Sequence, residues 1–179
     1  MGRLNLLSER PGALLNAGLF QLGWFCCVLG GSTVALLATP LILAVHLWLI
    51  VPTSERLREL RWLAAFVALG MVVDGSLSLA GGYTITSDTP DWAHWLPLPV
   101  WMWCLWPLFA STIHHALRWL WQRPWLAAAC GAISAPLSYY GGAQLASVTL
   151  ADWLLPAQAL IWGGLCLGIA RLHGHAERA

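Results

Sequence analysis

No Asp, Glu, Lys or Arg occurs between Arg10 and Glu55, and the same silence returns between Asp91 and Arg118, between Arg123 and Asp152, and between Asp152 and Arg171. Uncharged stretches of this length cannot be laid over a water-facing surface. They point to a chain that puts most of its residues into lipid or against itself. Composition agrees: 59% of the side chains are apolar and 9% charged, against roughly 45–50% and about 25% in soluble domains. Mean hydropathy is +0.67. These values exclude a soluble enzyme, a nucleic-acid binder and a disordered chain. In a bilayer every backbone polar group must be satisfied within the protein, so the stretches are read as helices.

Turn and polar residues divide the apolar sequence into six expected spans: Ala13–Gly30, Thr33–Val51, Trp62–Gly82, Leu96–Leu117, Trp125–Gln144 and Leu150–Arg171. Each approaches the about 20 residues that cross a bilayer. The fold class expected is thus an all-α integral membrane protein, a single domain formed as a compact bundle of six transmembrane helices. Gly31 and Ser32 would join the first two spans in a very tight hairpin. Arg3, Glu9, Arg10 and Pro11 make a polar lead with no small-x-small cleavage site after the first apolar run, so that run is read as a retained span.

The arginines give the orientation. All nine basic residues are Arg. Arg3 and Arg10 precede the first span, Arg56, Arg58 and Arg61 separate the second from the third, Arg118 and Arg123 separate the fourth from the fifth, and Arg171 and Arg178 close the sixth. The other side receives the Gly31-Ser32 turn, the Tyr83–Trp95 loop with Asp88 and Asp91, and the Ala143–Thr149 turn. Short loops rich in Arg stay cytoplasmic, so both termini are expected inside. An odd number of spans would scatter the arginines over both faces. Tryptophans fit two interfacial belts: Trp48, Trp62, Trp119, Trp121 and Trp125 on the arginine side, Trp92, Trp95 and Trp153 opposite. Trp24, Trp101, Trp103, Trp106 and Trp162 fall deeper, as packing residues or as the lining of an apolar ligand site. Gly164 and Gly168 form a GxxxG, and Gly131 with Ala135 a similar spacing, both of which let helices approach closely.

Several stretches are similar to one known family. Asn16-x-x-Leu19-Phe20-Gln21-x-x-Trp24, the span bearing His46, the span bearing Asp74, the run His114-His115-Ala116-Leu117-Arg118-Trp119-Leu120 and Gly131-Ala132-x-x-Ala135-Pro136-Leu137-Ser138-Tyr139 together resemble the bacterial family known as domain of unknown function 2878. The resemblance runs through nearly the whole chain in order. Where the family pattern has Asn before the second His, this chain carries His114. The resemblance implies a small inner-membrane protein in a setting of fatty-acyl-modifying enzymes, and it brings no reaction, substrate or catalytic residue.

Two groups of residues are candidates for chemistry. Asp74 is the one acid well inside a span, about 18 Å from the cytoplasmic boundary at helical rise. An ionisable residue at that depth is a functional-site hypothesis by default. Its neighbours at four-residue spacing are Gly70 and Ser78. With Asn16, Gln21 and Gln158, read as buried and uncharged, Asp74 and Ser78 make a candidate midplane polar site. Asp74 itself is expected protonated and hydrogen-bonded to Asn16, Gln21, Ser134, Tyr140 or Gln158. It would serve as a proton carrier, a cation ligand, a hydrogen-bond acceptor for a substrate or an interhelical tie. The second group lies at the cytoplasmic end. Ser111, His114, His115 and Arg118 follow i, i+3, i+4, i+7 spacing and would share one face of the fourth helix, with His46 at a similar depth in the second.

No metal site and no cofactor is expected, since neither a supporting acid nor a Glu-x-x-His pattern accompanies these histidines in the sequence. The alternative is a haem or metal ion held through His46 and His115. The five cysteines lie in apolar runs without ligand spacing and read as packing residues. Expected partners are membrane lipids, with a homodimer or a second membrane protein as further possibilities, and no nucleic acid. The functional reading is an accessory or lipid-associated membrane component without a catalytic motif of its own. The alternatives are a small transporter or proton-linked carrier using Asp74, and a membrane enzyme acting on acyl chains.

Overall fold

The computed structural model describes residues 4–85 and 96–176, with side chains from Pro11 to His173. Asp88, Asp91, Trp92, Trp95, Arg3 and Arg178 lie outside the described residues. The described residues are all-α apart from one short ribbon. In chain order the elements are α1 (Leu4–Leu49), α2 (Arg56–Leu79), β1 (Tyr83–Ile85), α3 (Val100–Ile113), α4 (Pro124–Leu145), β2 (Val148–Leu150) and α5 (Leu154–Ala176).

Among the described residues, three stretches are long and apolar enough to cross a membrane: Pro11–Leu49 of 39 residues, Thr53–Leu79 of 27 and Leu154–His173 of 20. The first is not one rod. Gly31 sits at φ 65°, ψ −166°, a region essentially closed to residues with a Cβ. The chain reverses there, at the Gly31-Ser32 pair where the sequence predicts a hairpin. The two arms lie side by side, with Cys27 Sγ 3.8 Å from Thr39 Oγ1 and Asn16 Nδ2 3.2 Å from His46 Nδ1. At the far end Arg56 closes α1: its Nε donates to the Leu47 carbonyl at 2.9 Å and an Nη to that of Trp48 at 3.3 Å. These are last-turn carbonyls without intrahelical donors, and a cation suits that end of the helix dipole.

The described residues form two compact units, one of residues 4–78 with 96–116, the other of 79–85 with 117–176. The first holds α1, α2 and α3. Along α2 the buried residues Glu59, Leu63, Phe66, Gly70 and Asp74 recur every three or four positions, one continuous stripe. Gly70 is required by contact: a Cβ there would overlap the indole of Trp106 on α3. α3 spans 14 residues, well short of the expected Leu96–Leu117, for a reason that lies in the site itself.

In the second unit α4 packs on α5 and the ribbon closes one end. The small-residue contact between the helices is not the Gly164/Gly168 pair, whose Cα atoms face open space. It is made by Gly131, where a Cβ would lie 2.6 Å from both Cys166 Sγ and the Trp162 carbonyl, and by Gly163 against Ala132. β1 and β2 pair antiparallel, Tyr83 opposite Leu150, Thr84 opposite Thr149 and Ile85 opposite Val148. The sequence reads both segments as loops, because strands of three residues leave no periodicity to detect. Of the expected belts, Trp48, Trp119, Trp125 and Trp153 are exposed, whereas Trp121 is buried and stacks 6.2 Å from His173.

Candidate functional site

Asn16 organises the first unit. It lies on the N-terminal arm of α1 with no exposed surface. Its Oδ1 accepts the Ala116 backbone N–H at 3.2 Å, and its Nδ2 donates to the Ser111 carbonyl at 3.1 Å. In a continuing helix those groups would bond Thr112 and His115 of α3's own next turn. The amide takes their place, and His115 N turns to the Thr112 carbonyl at 3.2 Å in a tighter turn. This is why α3 stops at Ile113. It also breaks the phase on which the Ser111, His114, His115, Arg118 face depends. Those four residues do not share a helix face. Ser111 hydroxyl donates to the Leu108 carbonyl at 2.7 Å, His114 stacks on Trp62 at 5.2 Å, and Arg118 opens the 3-10 turn Arg118–Gln122 of the other unit.

The same amide fixes the chemistry of His46. Since Nδ2 must donate to Ser111, the orientation of Asn16 is set, and its second N–H points at His46 Nδ1, which therefore accepts. A neutral His46 then carries its hydrogen on Nε2. That nitrogen lies 3.0 Å from Glu59 Oε1 and donates to it. His115 Nε2 stands 3.5 Å from the same oxygen, beyond the usual N–H···O range. The two imidazoles meet edge to face, 4.9 Å between centroids.

One helix arm, the first turn of α2 and the turn after α3 thus converge on a His46–Glu59–His115 centre. His46 and Glu59 side chains are 1% and 4% exposed and that of His115 is 18%. Glu59 sits in the first turn of α2, where the helix dipole favours an acid. Burying a carboxylate costs several kcal/mol unless charge and hydrogen bonds compensate. The hydrogen bond from His46 Nε2 to Oε1 at 3.0 Å supplies part of that compensation. In the same unit Trp62, Phe66 and Phe109 form an aromatic group, Trp62 to Phe66 at 5.0 Å and Phe66 to Phe109 at 6.1 Å. Acid–base groups are available here in surroundings that strengthen electrostatic interactions.

The expected midplane group is not assembled. Asp74 is buried and accepts the Trp106 indole N–H at 2.7 Å through Oδ2, a partner absent from the five neutral residues proposed for it. Asn16 is engaged with His46. Ser78 hydroxyl donates to the Pro97 carbonyl at 2.6 Å. Gln21 is exposed, contrary to its expected burial. Gln158 belongs to the other unit, where its Nε2 donates to Tyr83 Oη at 2.8 Å.

Glu59 is the residue the sequence reading passed over. Its signal was present, because Glu59 lies four residues before Leu63 on the stripe that ends at Asp74. In the sequence it is one charge among Glu55, Arg56, Arg58 and Arg61, and such runs are ordinarily solvated. Here Arg58 pairs outward with Glu55 at 2.7 Å, while Glu59 turns in.

No curated protein and no solved structure shows a significant match to the chain. One family model, described as a protein of unknown function (DUF2878), matches residues 13–167. The match covers most of α1, all of α2, α3 and α4 and most of α5, all three centre residues and Asn16 included, so this chain belongs to the DUF2878 family.

Proposed function

We propose that this protein is an integral protein of the bacterial cytoplasmic membrane, spanning it six times with both termini inside. In this reading it serves as a lipid-associated component whose working centre is His46–Glu59–His115. The observation that carries the reading is the convergence of two histidines, drawn from separate elements, on one oxygen of the buried Glu59 carboxylate. Such an arrangement is expensive within an apolar protein and marks a functional site by default. The outer surface supports a lipid setting: Leu14, Leu37, Leu41, Leu79 and Leu160 are each more than three-fifths exposed. In water that surface would be an aggregation hazard.

Six crossings follow from counting the α1 arms separately, about 27–30 Å each at helical rise, and adding α2, α3, α4 and α5. α3 alone would reach about 21 Å. The non-helical residues flanking it include the buried Leu98 and the turn held by Asn16, and irregular backbone is tolerated at membrane depth where protein covers it. Pairing of β1 with β2 supports the topology, since the arginine distribution assigns both segments to the same, external side. The carrier reading loses ground because Asp74 is engaged by an indole donor, which suits a tie between α2 and α3.

The test is genetic and chemical. Deleting the gene in the bacterium of origin should change the composition of its extracted membrane lipids. The wild-type gene should restore it, and Glu59→Gln should not, although the variant reaches the membrane in equal amount. Full restoration by Glu59→Gln, or an unchanged lipid profile on deletion, contradicts the proposal.

A further inference from the structure

We infer that His46, Glu59 and His115 bind a divalent first-row transition-metal ion, with coordination positions left open to a further ligand. The inference rests on the functional reading of this centre and names what it holds. One ligand atom from each of His46, Glu59 and His115 lies within 4.8 Å of the other two. Two ligands bonded at about 2.1 Å to a tetrahedral ion stand about 3.4 Å apart, and the nitrogen-to-carboxylate separations are 3.0 and 3.5 Å. The donors already have the spacing of a coordination shell.

The second observation is His115 Nε2 itself, a buried ring nitrogen aimed at the cluster with no hydrogen-bond partner among the described residues. A bound cation gives that nitrogen a partner and gives the buried carboxylate its countercharge. Two imidazoles and one carboxylate select zinc or ferrous iron over magnesium and calcium, which prefer all-oxygen shells. Three protein ligands leave at least one position free, as at sites where a metal acts on a substrate.

Asn16 becomes a positioning residue. A cation on His46 Nε2 needs that nitrogen's lone pair, so the ring hydrogen moves to Nδ1. Asn16 must then turn its oxygen toward Nδ1–H and release Ser111 and Ala116. Two neutral hydrogen bonds are exchanged for coordination by three ligands, and the end of α3 is freed as the ion enters.

The test uses the full chain in detergent, stripped with chelator and titrated with cobalt(II), zinc(II) or iron(II), the last without oxygen. Wild type should take up one ion per chain, and cobalt should develop the absorption bands of a low-symmetry nitrogen–oxygen site. Elemental analysis of protein purified without stripping distinguishes zinc from iron. Glu59→Gln and His115→Asn should each weaken uptake at least tenfold, with helical circular dichroism and elution volume unchanged. Should Glu59→Gln fail to fold, the more exposed His115→Asn still decides the matter. Absence of saturable uptake by wild type, or equal uptake by folded variants, overturns the inference. If no ion binds while Glu59→Gln still fails to restore the lipid composition in cells, the metal is excluded and the functional reading of the centre stands.

Discussion

Asn16 makes three hydrogen bonds with one amide, and its removal should be felt throughout the first unit. Asn16→Leu leaves the Ala116 N–H and the Ser111 carbonyl without that partner. An orphaned buried group costs roughly 1–3 kcal/mol, so a loss of at least about 2 kcal/mol is expected, read as a lower thermal unfolding midpoint in detergent. Wild-type stability in Asn16→Leu would refute the helix-terminating role. Asp74 gives the contrasting case. Asp74→Asn keeps an acceptor for the Trp106 indole and should unfold close to wild type, whereas Asp74→Leu removes it and should lose about 1–3 kcal/mol. Equal losses in the two variants would show that the charge, not the hydrogen bond, matters at Asp74. A carrier would lose activity in Asp74→Asn at full stability, which cellular complementation by that variant reads directly. At this scale the sequence was half legible. Depth and residue type singled out Asp74 and the histidines, because hydrophobic runs fix how far along a helix each residue lies. Partners depend on rotation between helices, which no run of residues encodes. That is why Trp106 and Glu59 went unread.

Among the elements, α1 and the ribbon offer the sharpest expectations. The Gly31 conformation is costly for any L side chain, so Gly31→Ala should destabilise the hairpin by about 1–3 kcal/mol, again measured by thermal unfolding. An unchanged midpoint would mean that the arms reverse elsewhere. Thr84 and Thr149 face each other across the ribbon, and directly opposed residues in antiparallel strands have Cα atoms about 4.5–5.5 Å apart, within disulfide reach. Thr84→Cys with Thr149→Cys should cross-link under mild oxidant, visible as faster migration on non-reducing gels. Thr84→Cys with Ala146→Cys should cross-link poorly. The hairpin was legible because glycine at a polar break between two apolar runs has few other uses. The length of α3 was not: a side-chain amide from a residue 100 positions away in sequence supplies its stop, and local pattern cannot foresee a stop of that kind.

For the molecule as a whole, the claim that governs all others is that the His46–Glu59–His115 centre lies at the cytoplasmic end of a six-span protein. Without that topology the centre would face a different aqueous compartment and meet different ligands. The decisive measurement is labelling of single introduced cysteines in intact cells with a membrane-impermeant thiol reagent, compared with the parent chain. Ser54 stands in the turn that leads into Glu59 and is exposed; Asp88 stands in the loop assigned to the opposite side. The account predicts that Asp88→Cys reacts in intact cells and that Ser54→Cys reacts only after the membrane is opened. Reaction of Ser54→Cys in intact cells, with Asp88→Cys protected until lysis, would contradict it.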